Sequence, residues 1–105
     1  MTLQELYGTL QKMNLPLCYQ EFPKAQNPPY IAYFEDEADS ITADGVVVLT
    51  VRHIEIHMIT TKRDTAKESE LESLLNDAGL TWERIHDYDS TQKIHDAAYE
   101  LELIE

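Results

Sequence analysis

Residues Tyr30 to Thr60 read YIAYFEDEADSITADGVVVLTVRHIEIHMIT, two β-rich runs that meet at Asp44-Gly45. Asp-Gly between such runs signals a two-residue hairpin, because both central positions of the favoured turn need φ > 0. With Ala43 opposite Val46, paired positions sum to 89: Tyr33 meets Ile56, Ile31 meets Met58 and Phe34 meets Glu55. One face near the base then carries Ile31, Tyr33, Ile54, Ile56 and Met58, which marks it as core. Toward the turn, Glu35, Asp36, Glu37 and Asp39 confront Val46, Val47, Val48, Leu49 and Val51.

Strands of about 13 residues run roughly 40 Å, whereas a compact domain of this length has a radius of gyration near ~13 Å. The tip is therefore expected to overhang the body, unless it curls back over its own sheet. Apolar residues on an overhanging ribbon lack internal cover and mark a partner surface. Val46, Val48 and Leu49 are thus candidates for self-association.

A length of 105 residues with 43% hydrophobic content suits a single domain, residues 1–105, built on one core. Twenty acidic against eight basic residues leave a net charge of −12. Gripping nucleic acid needs clustered Lys and Arg, so specific nucleic-acid binding is not expected. A negative surface would instead let a phosphate backbone pass without trapping it. The single cysteine, Cys18, permits no internal disulfide and fits an intracellular or virion setting. No apolar run approaches a membrane span, and no signal-peptide pattern opens the chain.

Outside the hairpin, Thr2-Leu3-Gln4-Glu5 has the form of a capping box. Leu3, Leu6, Tyr7, Leu10 and Met13 follow at helical spacing, up to the stop at Asn14-Leu15-Pro16. Leu17 to Phe22 reads as a short strand near a sheet edge, and Pro23 to Pro29 as a stiff loop. Asp64 is a good N-cap for a second amphipathic helix, Asp64 to Ala78, with Ala66, Leu71, Leu74, Leu75 and Ala78 on one stripe. Its acidic residues fall on a solvated face, and Gly79 stands at the αL cap. Leu80 to Asp89 alternates without a cleanly apolar side, as in a strand at a rim or covered by another subunit. Lys93 to Ile104 is the last strand, with Ala97, Tyr99, Leu101 and Leu103 inward. The expected fold is α+β in the order α-β-β-β-α-β-β. Two helices pack on a mainly antiparallel sheet, and a long β-hairpin protrudes from it.

Only one constellation could carry chemistry. His53, Glu55 and His57 share a strand face at period two, and two imidazoles with a carboxylate are ligand types for zinc or iron. Alternating polar residues on a solvated strand look the same. His86 and His95 read as single imidazoles, surface or packed. No phosphate-binding glycine loop, G-x-S-x-G, HExxH or Cys-x-x-Cys is present. No catalytic residue, cofactor or enzymatic activity is expected.

Several strings are similar to those of a known family. Leu15-Pro16-Leu17-Cys18-Tyr19 is followed by Phe22, Pro28-Pro29-Tyr30-Ile31-Ala32-Tyr33 and Ala43-Asp44-Gly45. Beyond these come Ile56 to Asp64, ending Thr60-Thr61-Lys62-Arg63-Asp64, then Trp82-Glu83-Arg84 and Tyr99-Glu100. Together they resemble the tail terminators, or head–tail joining proteins, of siphophages and prophages of Gram-positive bacteria. The resemblance implies a homo-oligomeric ring, often a hexamer, that caps the tail tube and presents a surface to the head connector. It implies as partners the chain itself, the major tail tube protein and neck proteins, with DNA passing through the lumen. It places the protein in the virion, and in the host cytoplasm during assembly. A ring needs two different patches that dock on one another. The hairpin is the candidate donor, a neighbour's second helix or last strand the acceptor, and Lys62 and Arg63 candidate contacts to acidic residues across the join. Other expectations stand beside this one: another neck or head-completion protein, a non-viral protein-binding module, or a metal-dependent module using His53, Glu55 and His57.

Overall fold

A computed structural model describes residues 1–21 and 27–104. Seven elements follow in order: α1 (Leu3–Gln11), β1 (Leu17–Tyr19), β2 (Tyr30–Ala43), β3 (Val46–Thr60), α2 (Thr65–Asp77), β4 (Trp82–Asp89) and β5 (Ile94–Ile104). They form an α+β fold with one five-stranded sheet in the order β1-β2-β3-β5-β4. β1 lies parallel to β2, and every other pairing is antiparallel.

The odd-numbered positions at the base of β2 and of β5, with the even-numbered positions of β3, form the face that both helices cover. Ile31, Tyr33, Ile54, Ile56, Met58, Ala97, Tyr99, Leu101 and Leu103 are all buried there against Leu6, Leu10, Met13, Leu71 and Leu75. A smaller apolar cluster of Tyr30, Ala32 and Ile59 sits on the opposite, helix-free face, flanked by Cys18, Phe34 and Ile94. Alternation had marked only the first face. The second cluster exists because the base of the sheet is apolar on both sides.

Local chemistry sets the helix ends. The Thr2 hydroxyl accepts from the Glu5 amide while the Glu5 carboxylate accepts from the Thr2 amide, closing the capping box. α1 stops at Gln11, earlier than the proline alone requires, and Asn14 takes a left-handed turn at φ 57°. Met13 is buried in the turn beyond the helix, while Tyr7, expected on the inner stripe, is 42% exposed. In α2 Asp64 caps the Lys67 amide, and Gly79 at φ +76° ends the helix.

The expected first strand through Phe22 is shorter. Gln20 turns away at φ 63°, its amide donating to the Tyr33 carbonyl, and Phe22 lies outside the described residues. Most of the expected Pro23 to Pro29 loop also lies outside them. β4 begins at Trp82, two residues later than expected.

The hairpin turn has Asp44 at φ 52° and Gly45 at φ 76°, the two positive values a tight turn of this hand needs. The hairpin overhangs as expected. The chain spans 51 × 26 × 20 Å with a radius of gyration of 14.9 Å, and β2 is exposed from Asp36 to Ala43.

Candidate functional site

The tip of the hairpin combines length with missing cover. β5 pairs with β3 from Val51 to Thr60 only, and β1 pairs with β2 over Ile31 to Tyr33 only. Beyond those points each hairpin strand pairs with the other and, among the described residues, has no second neighbour. Val46, Val47 and Val48 are 63%, 56% and 58% exposed, and Ile41 50%. Of the candidates for self-association, Val46 and Val48 thus stand open, and Leu49 is half-buried.

The register carries two irregularities. Pairs from Tyr30↔Ile59 to Glu35↔Ile54 sum to 89, those from Glu37↔His53 to Ile41↔Leu49 sum to 90, and Thr42↔Val47 and Ala43↔Val46 return to 89. One extra residue on β2, Asp36, is thus matched by one on β3, Val48. Each is a β-bulge, which adds local twist. The expected register holds at the base and at the turn because the two cancel. Between them Glu37 and Asp39, in place of Asp36 and Ala38, come onto the helix-free side beside His53.

That side carries Glu37, Asp39, Glu55, Asp96, Glu100 and Glu102 around two imidazoles. His53 Nε2 lies 2.9 Å from Asp39 Oδ2, and its Nδ1 lies 3.5 Å from Glu102 Oε1. The hydrogen bond to Asp39 leads in raising the pKa of His53, and Glu102 adds to it. His57 Nε2 is 2.6 Å from Glu55 Oε1 and Nδ1 is 2.8 Å from Asp96 Oδ2. Burial works against a charge on His57, yet Asp96 and then Glu55 outweigh it, so its pKa is also raised. The structure places His53, Glu55 and His57 in two separate groupings. Positions four apart on a strand are about 13 Å apart, too far to share one ion. Among the described residues, Glu37, Asp39 and His53 have ligand-type atoms within 4.8 Å of one another. Both nitrogens of that imidazole already face carboxylates, an arrangement that a protonated ring satisfies by itself.

His86 and His95 do not stand singly. Strand pairing brings their rings to 5.1 Å, stacked, with His86 Nε2 3.1 Å from His95 Nδ1, and Tyr88 packs on His95. Their separation of nine residues hid this, because contact depends on the β4–β5 register.

The outer side of α2 also differs from expectation. Glu68 is buried while Ala66 is exposed, since Glu68, Leu71 and Leu75 form the inward stripe. Arg63 Nε and Arg84 each lie 3.4 Å from the Glu68 carboxylate. Arg84 also pairs with Glu72 at 2.8 Å, and the Tyr99 hydroxyl donates to Glu72 at 2.9 Å. Burial, then Glu72, pushes the Tyr99 hydroxyl well above its ordinary pKa. This network fastens α2 to β4 and β5. Lys62 is exposed and Arg63 half-exposed in the turn before α2.

An open recess of about 840 Å³ lies where β4 stops short of the end of β5, bounded by Met1, His53, Leu80, Trp82 and Glu102. No helix of the described residues is long and apolar enough to cross a membrane.

The geometry defines a class of fold: a five-stranded sheet with two helices on one face and a long hairpin projecting from it. No family model and no curated protein matches the sequence. Among solved structures, a chain of the virion of a native gene transfer agent particle is similar, with a TM-score of 0.62 at 14% sequence identity. The match covers 98% of this chain and 95% of that one. The likeness is one of fold.

Proposed function

We propose that this chain is a structural virion protein of a tailed phage or phage-like particle, a ring-forming tail terminator that joins tail tube to head, with no enzymatic role. The observation that carries the reading is the overhanging hairpin, whose uncharged valines Val46, Val47 and Val48 stand open on β3 beyond the last pairing with β5. The fold shared with a chain of a gene transfer agent virion supports it.

In the proposed assembly each subunit gives its hairpin to the next, a heterologous contact that closes into a ring, hexameric in the family it resembles. Lys62 and Arg63 meet acidic residues of the neighbour. The helix-free face has no Lys or Arg on its strand positions and forms the channel wall, where DNA slides without sticking. The tail tube protein and the head connector take the two ends of the ring.

Light scattering across concentration, with and without tail tubes, tests this. The native chain is expected to approach a discrete oligomer, and the double substitution Val48→Asp with Leu49→Asp to stay monomeric. A strict monomer at millimolar concentration that also fails to bind tubes would remove the ring and leave a binding module in its place.

A further inference from the structure

The expected acceptor on the neighbour was the second helix or the last strand. β5 is an interior strand, flanked by β3 and β4 along most of its length, so over Ile94 to Leu101 it has no edge to offer. The open edges among the described residues are β4 along Trp82–Asp89, the short β1, the outer edge of distal β2, β3 over Val46 to Thr50, and the last three residues of β5 on the side that β4 leaves.

We infer that β4 of one copy adds to the β3 edge at Val46 to Thr50 of the next, so that the sheets join through backbone hydrogen bonds. The inference rests on the ring reading and names its contact. Charge chooses between the two hairpin edges, and β1 offers only three residues. β4 carries Glu83, Asp87 and Asp89, and the distal β2 edge carries Asp36, Glu37 and Asp39, so pairing those two sets like charges against each other. The β3 edge reads Val46-Val47-Val48-Leu49-Thr50, with no charge at all. An edge strand without charge or proline is a template for a further strand. Its bulge at Val48 divides the run and turns the tip. β4 brings apolar surface of its own: Ile85 is 51% and Tyr88 49% exposed. A strand seated at Val46 to Thr50 prolongs the line of β5, which ends at Ile104 beside Val51.

In a ring built by rotation, the helix-bearing faces of all copies point alike. Residues of the helix-free face therefore meet: Leu49 of one copy, and Ile85 or its same-face neighbour Asp87 of the next. Adjacent strands hold facing residues within the Cα separation a disulfide tolerates, about 4.4–6.8 Å, and unpaired strands do not.

The test uses the full chain with Cys18→Ser. Leu49→Cys is mixed separately with Ile85→Cys and with Asp87→Cys, then oxidised, and Asp39→Cys on the β2 edge replaces Leu49→Cys as the comparison. Covalent dimers are expected from Leu49→Cys with at least one β4 variant, and none from Asp39→Cys. Oligomers that form without the Leu49 cross-link, or that cross-link through Asp39, overturn the edge pairing and leave the ring standing. A chain that neither oligomerises nor cross-links overturns both.

Discussion

His57 shows how a residue's role can depend on a partner distant in sequence. Glu55 is visible beside it in the strand alternation, but Asp96 reaches it only because β5 pairs with β3 in a register that sets Ala98 opposite His57. With its pKa raised above the ordinary value near ~6.5, the charged imidazole favours the folded state. That stabilisation is complete below the unfolded pKa and is lost as pH rises through the folded one. The melting temperature is therefore expected to fall as pH climbs from about 6 through the raised pKa, and His57→Gln should flatten that fall. A His57 resonance titrating at or below its ordinary value would contradict the assignment. Glu68 gives the same lesson from the other side. Its place among acidic neighbours reads as solvated, yet Arg63 and Arg84 on either side let it be buried.

At the scale of elements, capping chemistry was the most legible part of the sequence. Thr2 with Glu5, Asp64 and Gly79 each take the roles their residue types prescribe, because a cap is decided within a few residues. Two glycines make the point testable with one substitution of opposite sign. Gly8 lies inside α1 with open space where a Cβ would go, so Gly8→Ala should stabilise by about 0.5–1 kcal/mol. Gly79 also has open space but sits at φ +76°, so Gly79→Ala should cost about 1–2 kcal/mol. Thermal denaturation reads both, at roughly 4–8 °C per kcal/mol for a chain of this size. Strand ends and burial were less legible. The early stop of β1, the exposure of Tyr7 and the pairing of His86 with His95 depend on strands and helices brought together by tertiary packing.

For the whole molecule, hydrophobic alternation and one turn were enough to give the α+β order, the inner face and the overhang, since each follows from period and length. The strand order was out of reach, and with it the interior position of β5 that moves the proposed contact to β4. The separation of charge remains useful at this scale. Acidic groups crowd the hairpin and the helix-free face, while Lys62 and Arg63 stand exposed at the far end of β3. If those two residues meet a neighbour's carboxylates, Lys62→Glu, which leaves the Arg63–Glu68 pair in place, should shift assembly to higher protein concentration. Added salt should narrow the gap between variant and native chain, because exposed pairs are screened over about 10 Å. Equal assembly at low salt would take Lys62 out of the contact.

The bulges at Asp36 and Val48 behave as dislocations of opposite sign in a lattice of period two. Straightening either one alone, with the chain length unchanged, would leave the turn or the base one step out of phase and exchange inward for outward side chains along a whole limb of the ribbon. Straightening both would keep the phase at each end and alter only the stretch between them, where Glu37, Asp39 and His53 meet. Between chains of equal length such defects are therefore expected to arise and disappear as a couple, whereas loss of the bulged residue itself would remove one of them and leave the phase intact.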